Sequence, residues 1–342
     1  MGNKEYREDL AQSDESEIYG YDGVYRLDDF ERGQLNSSKD DINSPTRTQA
    51  WTLDQLGNWD STTIDGSTED RSHNQVNELT DRTPPGESQI DLSYDDTGNL
   101  TQEGSSDGDY QYSYDFKNRI VEVQENQSGS WVTVASYDYD AKGRRIVKTV
   151  SNSGDLNGTT RYLWGGQSDW QCLEELDGSD NIQARYTYAP GYIDAVACQE
   201  RDLDDDGDFA DSDEMVYYHS TTIHSVYALT NGGESVIERY HYDPYGKATV
   251  LEPDWSADGD NASDVENPYL YTGRRNDAET NLMQYRHRYY SWRLGRFISR
   301  DPKGYVDGLN LYEYVGGRVV IMVDPMGFRS KVSSSRRRMI SQ

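Results

Sequence analysis

YDDTGNLTQ (94–102), YDFKNRIVEV (114–123) and YDAKGRRIVKTV (139–150) are three copies of one short unit. Two further copies stand outside them, YDGVYRLDDF (21–30) and YDPYGKATV (242–250). An alternating aromatic run leads into the later copies: YQYSYD (110–115), ASYDYD (135–140) and RYHYD (239–243). A turn holding Gly or Asn follows, then a second β-rich run. Alternation on both sides of such a turn predicts a β-hairpin. The Asp after Tyr can bond the turn backbone two residues on, and Gly or Asn tolerates positive φ. A lone hairpin cannot bury its apolar face, but stacked hairpins can, so the repetition predicts one continuous sheet.

Composition agrees. Of 342 residues only 34% are apolar, and mean hydropathy is -0.97. Aromatic weight falls on 28 Tyr and 7 Trp, with 5 Phe. These rings favour strands, with an apolar body and a polar tip. The length alone suggests about two domains. Net charge is -29, which argues against a nucleic-acid partner, since phosphate binding rests on basic side chains. The charge is divided: from Tyr271 onward 14 Lys+Arg face 6 Asp+Glu, whereas residues 1–270 carry 19 against 56. The basic end is expected to dock on the acidic remainder, the rival being an anionic membrane or nucleic acid. Cys172 and Cys198 lie in no CxxC motif and read as one disulfide in an exported chain or as two unpaired thiols. The start MGNKEYREDL has no apolar signal region, and no run is long enough to span a membrane. The chain is cytoplasmic, or exported by a signal outside this segment.

The aromatic hairpin units resemble the YD repeats of RHS and teneurin-like proteins. WTLDQLGNWD (51–60) and NQVNELT (74–80) match loosely, and 161–229 is irregular. The block from Asn267 to Phe328 resembles the RHS-associated core through Y-TG, Q-R-RYY, GRF-S-RDP-G, G-NLY-YV and DP-G. It departs at Ser291-Trp292, where the family has Asp-Pro, and at Gly316-Gly317-Arg318, where it has Asn-Asn-Pro. The resemblance implies an all-β chain of stacked hairpins forming a curved partial shell, closed by the core. Four stretches are expected: a ragged repeat region at 1–90, the shell at 91–266 with an acidic insertion at 202–214, the core at 267–328, and a short basic tail at 329–342. In the family such shells enclose a variable toxin, and several members cut themselves after the residue following DP-G, here Phe328. The 14 residues beyond it are too few for a toxin domain. The implied partners are the remaining shell or a toxin payload, at the cell surface or outside the cell. The rival function is a surface adhesion module whose Tyr and Trp form a platform for glycans.

Two clusters carry chemistry. The resemblance assigns self-cleavage to an aspartyl-type site, matched here by Asp301, Asp324 and Arg300, the last to orient a carboxylate. Aspartic proteolysis needs two carboxyls sharing a proton. The plain alternative is that both Asp-Pro pairs only form turns. Asp307 and Glu313 are further acids in the block. The run DLDDDGDFADSD (202–213) places Asp202, Asp204, Asp206, Asp208 and Asp213 at positions 1, 3, 5, 7 and 12 of a calcium loop, with Gly207 at 6. The alternative is a solvated acidic tip. His219 and His224 read as packed or hydrogen-bonded rather than as metal ligands. GxSxG, HExxH, Walker and GxGxxG patterns are absent.

Overall fold

At four of the five Tyr-Asp copies the aspartate builds its own turn. Asp95 Oδ1 accepts the N–H groups of Thr97 and Asn99, both at 2.9 Å, while the Gly98 N–H donates to Asp95 O. Gly98 is left-handed at φ +83°, and a Cβ there would run into the Arg300 guanidinium. The same pattern of bonds recurs at Asp22, Asp54, Asn74, Asp115, Asp140, Asp177 and Asn231. At Thr221 the hydroxyl takes the carboxylate's place and accepts the Ser225 N–H. The first 90 residues therefore carry the same turn as the rest, and so does the irregular stretch.

The computed structural model describes residues 3–332 except 107, 166–168, 205, 212–213, 307 and 329. Asp213, Asp307 and the tail other than 330–332 thus lie outside the described residues.

Most hairpins shift register by one residue just before the turn, as at Ser93/Tyr94, Ser113/Tyr114 and Asp138/Tyr139. Such bulges bend a strand and add twist. They also free the repeat aromatic to reach the neighbouring hairpin. Tyr114 OH donates to Leu100 O (2.9 Å), Tyr139 OH to Ile120 O (2.7 Å) and Trp164 Nε1 to Arg145 O (2.7 Å). Each acceptor is the residue opening the strand that leaves the preceding repeat's turn.

Among the described residues 21 strands, from β1 (Tyr6–Arg7) to β21 (Ala248–Leu251), form one sheet, each pairing antiparallel with the next. It passes residue 90 unbroken, with Asp81 opposite Asp91 and Arg82 opposite Ile90. There is no α-helix among the described residues; 3₁₀ turns include Ser13–Glu15, Gly154–Leu156, Tyr271–Gly273 and Val315–Gly317. The meander curls until its ends approach without pairing as strands. Arg32 Nη2 donates to Tyr242 O (2.6 Å), Tyr227 OH to Asp9 Oδ2 (2.5 Å), and Arg47 meets Asp243 (2.5 Å). The outer edge of β21 is covered by the chain that follows it: Val250 N–H donates to Asn261 Oδ1 (2.9 Å), and Asp258 N–H to Val250 O (3.1 Å).

The interior is not hollow. Residues 267–328 fill it with a small sheet of β22 (Arg275–Asp277), β23 (Leu282–Tyr285), β24 (Arg288–Ser291) and β25 (Arg296–Phe297), followed by the pair β26 (Met322–Val323) and β27 (Lys331–Val332). Tyr285, Tyr290, Phe297 and Tyr314 pack against Phe30, Trp51, Trp59 and Tyr245 of the wall. Leu282, Tyr289, Leu294 and Ile298 pack against Leu79, Ile120, Val123 and Tyr137. Charge follows the division seen in the sequence. Arg275 pairs with Glu175, Arg274 and Arg286 with Asp194, Arg293 with Glu103 (2.9 Å) and Arg300 with Glu78 (2.6 Å). Some pairs run the other way: wall Arg145 grips Asp277 with two bonds of 2.6 and 2.8 Å, both side chains fully buried, and wall Lys148 reaches Asp277 (3.4 Å) and Glu279 (3.1 Å).

Burial alone would raise the turn carboxyls Asp95, Asp115 and Asp140, but their turn bonds outweigh it and hold them below the ordinary carboxylate range. A depressed folded pKa gives stability that is present above the unfolded value near 4 and lost as pH falls through the folded one. Asp95→Ala is expected to cost about 1 kcal/mol in urea unfolding at pH 7. The gap to wild type should narrow as pH falls through the lowered folded-state pKa of Asp95, where wild type loses that anion as well.

Candidate functional site

Asp301 and Asp324, 23 residues apart in sequence, come together at one arginine. Arg288, the first residue of β24, places Nη2 at 3.1 Å from Asp301 Oδ2 and 3.4 Å from Asp324 Oδ2. The guanidinium lies 3.5 Å over the Phe297 ring and donates to Gly327 O (2.6 Å) and Leu311 O (3.0 Å). All three side chains are buried.

Each aspartate also forms the turn of the repeats. Asp301 Oδ1 accepts the Lys303 N–H (2.7 Å), and left-handed Gly304 donates to Asp301 O (2.9 Å). Asp324 Oδ1 accepts the N–H groups of Met326 (3.3 Å) and Phe328 (3.1 Å), with Gly327 left-handed. One oxygen of each carboxylate thus shapes its turn and the other faces Arg288. Glu313 joins Arg288, Asp301 and Asp324 around a polar recess of about 20 Å³, room for a water. Phe328 stacks on His287 at 4.1 Å, and Lys303 Nζ lies 5.0 Å over its ring.

Arg300 is directed elsewhere. It orients a carboxylate, but that of Glu78, and also donates to Tyr312 OH (3.1 Å). The side chain between the two aspartates is Arg288, which sequence reasoning passed over. Two carboxylates brought into a buried site require a cation, and QYRHRYY (284–290) held the candidates.

In the acidic insertion, Asp202, Asp204 and Asp206 bring carboxylate oxygens within 4.8 Å of one another. Gly207, left-handed at φ +89°, donates its N–H to Asp202 Oδ2 (3.0 Å). Asp208 turns back to the Ala210 N–H (2.8 Å) and is outside that group. A second group joins Asp204 with Asp211 and Glu214. Glu214, unremarked in the sequence, is buried and accepts N–H groups from Leu203 (3.1 Å) and Asp211 (3.0 Å). Its signal was an acid directly after the twelfth loop position. His219 shares a hydrogen bond with Thr230 (3.0 Å), and His224 stacks on Tyr192 (3.7 Å). Cys172 and Cys198 are free thiols, the first pushed up to about 12 by burial.

Removing Arg288 leaves two buried carboxylates facing each other, and losing one partner of a buried pair costs about 3–5 kcal/mol. Arg288→Met is expected to lose that much in chemical denaturation at pH 7. Adding Asp324→Asn should recover part of it.

No family model matches the chain. The tRNA3(Ser)-specific nuclease WapA of Bacillus spizizenii is 30% identical over 308 residues, 86% of this chain and 11% of that protein. Toxin protein Tse5 of Pseudomonas aeruginosa is 26% identical over 249 residues, 68% of this chain and 18% of its own. A crystal structure of TcdB2-TccC3 overlaps 92% of this chain and 19% of its own, at 20% identity and a TM-score of 0.49. The chain therefore spans about a tenth to a fifth of the length of the curated relatives it matches. A match over 86% of the residues cannot leave out either the hairpin array or the segment it wraps, and the chain is an RHS-repeat (YD-repeat) segment that includes the family's associated core.

Proposed function

We propose that this chain is a wall segment of a toxin shell. The observation that carries the reading is a continuous curled sheet bound through buried ion pairs to its own core segment, in a chain whose relatives include toxin proteins. Its interior is occupied by residues 267–328, so a payload would need further wall, supplied by the rest of a longer array. A reporter domain joined after Gln342 should stay open to protease on this chain alone. It should become protected when the preceding repeats of a longer relative are joined ahead of Met1. Protection by this chain alone would overturn the reading.

The site of action is the cell surface or the exterior, in keeping with toxin relatives; among the described residues no helix is long and apolar enough to cross a membrane. Glycan binding on a flat aromatic platform is the weaker reading. Tyr112, Tyr137, Tyr162 and Tyr186 are buried, and the exposed Tyr6, Tyr25, Tyr217 and Tyr305 lie on separate elements.

Self-cleavage after Phe328 is the finer reading of the carboxylate pair. One carboxyl would activate a water in the recess and the other, protonated, would donate to the peptide carbonyl. Asp324 already shapes the turn that ends at Phe328. Intact mass at neutral pH is expected to show loss of Arg329–Gln342 in the wild type and retention in Asp301→Asn and Asp324→Asn. Retention in the wild type would defeat it, as would a cut that survives both substitutions.

Calcium is the cation we assign to Asp202, Asp204 and Asp206, with Glu214 and Asp211 behind them. Millimolar calcium should raise the melting temperature by mass action. Asp204→Ala with Asp206→Ala should abolish the rise, and an unchanged wild-type curve would leave a solvated acidic tip.

A further inference from the structure

The cut proposed above follows Phe328, and that residue is held at three points. Two are on the backbone: Asp324 Oδ1 accepts the Phe328 N–H (3.1 Å), and Arg288 Nε donates to Gly327 O (2.6 Å). The third is the side chain. The Phe328 ring stacks on the His287 imidazole, with centroids 4.1 Å apart and planes within 18°. Lys303 Nζ lies over the same ring at 5.0 Å. Trp170 of the wall meets the imidazole in a T-shaped contact at 4.8 Å.

These groups arrive from separate elements. Arg286-His287 is the tight turn between β23 and β24, and Lys303 stands in the Asp301 turn. Trp170 immediately precedes β15 (Gln171–Leu176). Arg286 ties the elements together. Its guanidinium pairs with wall Asp194 (2.5 Å) and donates to Trp170 O (3.2 Å) and to Pro325 O, the last in the turn that ends at Phe328. A Cβ on Gly327 would collide with Tyr285 O, so that turn lies directly against the hairpin.

The contacts favour an aromatic ring over an aliphatic chain. Burial, helped by Arg286 and Lys303, pulls the His287 imidazole down to about 4. The imidazole is then neutral at pH 7 and stacks as an aromatic. An ammonium is drawn to the electron-rich face of a ring. An aliphatic side chain of similar size fills the space but receives neither attraction. Fixing the ring as well as the backbone constrains where the Phe328 carbonyl points. A displacement of about 1 Å can cost on the order of a hundredfold in rate.

We propose that His287 and Lys303, backed by Trp170, form a recognition seat that selects an aromatic side chain before the cut and aims its carbonyl at the carboxylate pair. The seat rests on the reading of self-cleavage after Phe328. In that step a water's hydroxyl oxygen bonds to the Phe328 carbonyl carbon and the C–N bond to Arg329 breaks. The water's other proton passes through the carboxyl pair to the leaving nitrogen. The seat groups are positioning residues and exchange no proton.

Tail release is followed by intact mass after cell-free synthesis at neutral pH. Phe328→Tyr should cut at the wild-type rate, and Phe328→Leu about fivefold or more slowly, the loss of one ring stack. His287→Ala should slow the cut similarly, and His287→Phe should restore it, which a merely structural loss would not allow. A second readout needs no cutting. In the Asp301→Asn chain the His287 ring resonance, assigned by its loss in His287→Phe, should stay flat from pH 8 to about 5. Adding Phe328→Ala uncovers the imidazole and should bring its titration into that window, toward the ordinary value near 6.5. Retention of the tail in the wild type defeats the self-cleavage reading, and the seat with it. Where the wild type cuts, equally fast cutting in Phe328→Leu or His287→Ala overturns the seat alone. So does a His287→Phe chain no faster than His287→Ala, or a His287 resonance indifferent to Phe328→Ala.

Discussion

The fold rests on a turn in which one side chain does the work of the backbone. At most of these turns, two N–H groups that strand pairing leaves over are taken by the side-chain oxygen of the turn's own Asp or Asn. Buried or half-buried N–H groups must find acceptors somewhere, and here they find them within five residues. The hairpin therefore closes locally, at little loop entropy, before it meets a neighbour. The bulge and the aromatic donor then fix how successive hairpins pack. Because that step is the same each time, the sheet's curvature is built from one repeated offset.

Within that curl the dominant constraint is charge. The core segment reaches the wall through arginines, and the wall answers mainly with glutamates and aspartates. Buried ion pairs add little net stability, since desolvation offsets attraction, but each one strongly disfavours arrangements that separate the partners. Arg145 with Asp277, and Asp194 with Arg274 and Arg286, thus act chiefly to select one seating of the core. The Arg288 site follows the same rule with an excess of anions, which sets it apart from the purely structural pairs.

The hairpin turns and the all-β character were legible because each repeat writes its own local chemistry. The turn at Asp177 and those at Thr221 and Asn231 were not, because their flanking runs lack the Tyr-Asp signature while keeping the bonding pattern. The stretch 275–283 pairs as β22 and β23, where Arg275 faces Gln284 and Asp277 faces Leu282. Asp301 and Asp324 were found by motif, whereas Arg288 was not, because which arginine lies between two distant turns depends on tertiary placement. The filled interior was also beyond the sequence: a Tyr-rich inner face suits a cavity and a packed core equally well.

The covered strand β21 closes one edge of the array. Val250 spends its outward N–H and C=O on its own following loop, so a strand arriving there finds its hydrogen bonds already taken. β1, of two residues, pairs with β2 in the strand pairing described. The edge at β21 is the one that is visibly closed, like the cap on a filament, and Val250 there disfavours edge-to-edge addition of a further strand.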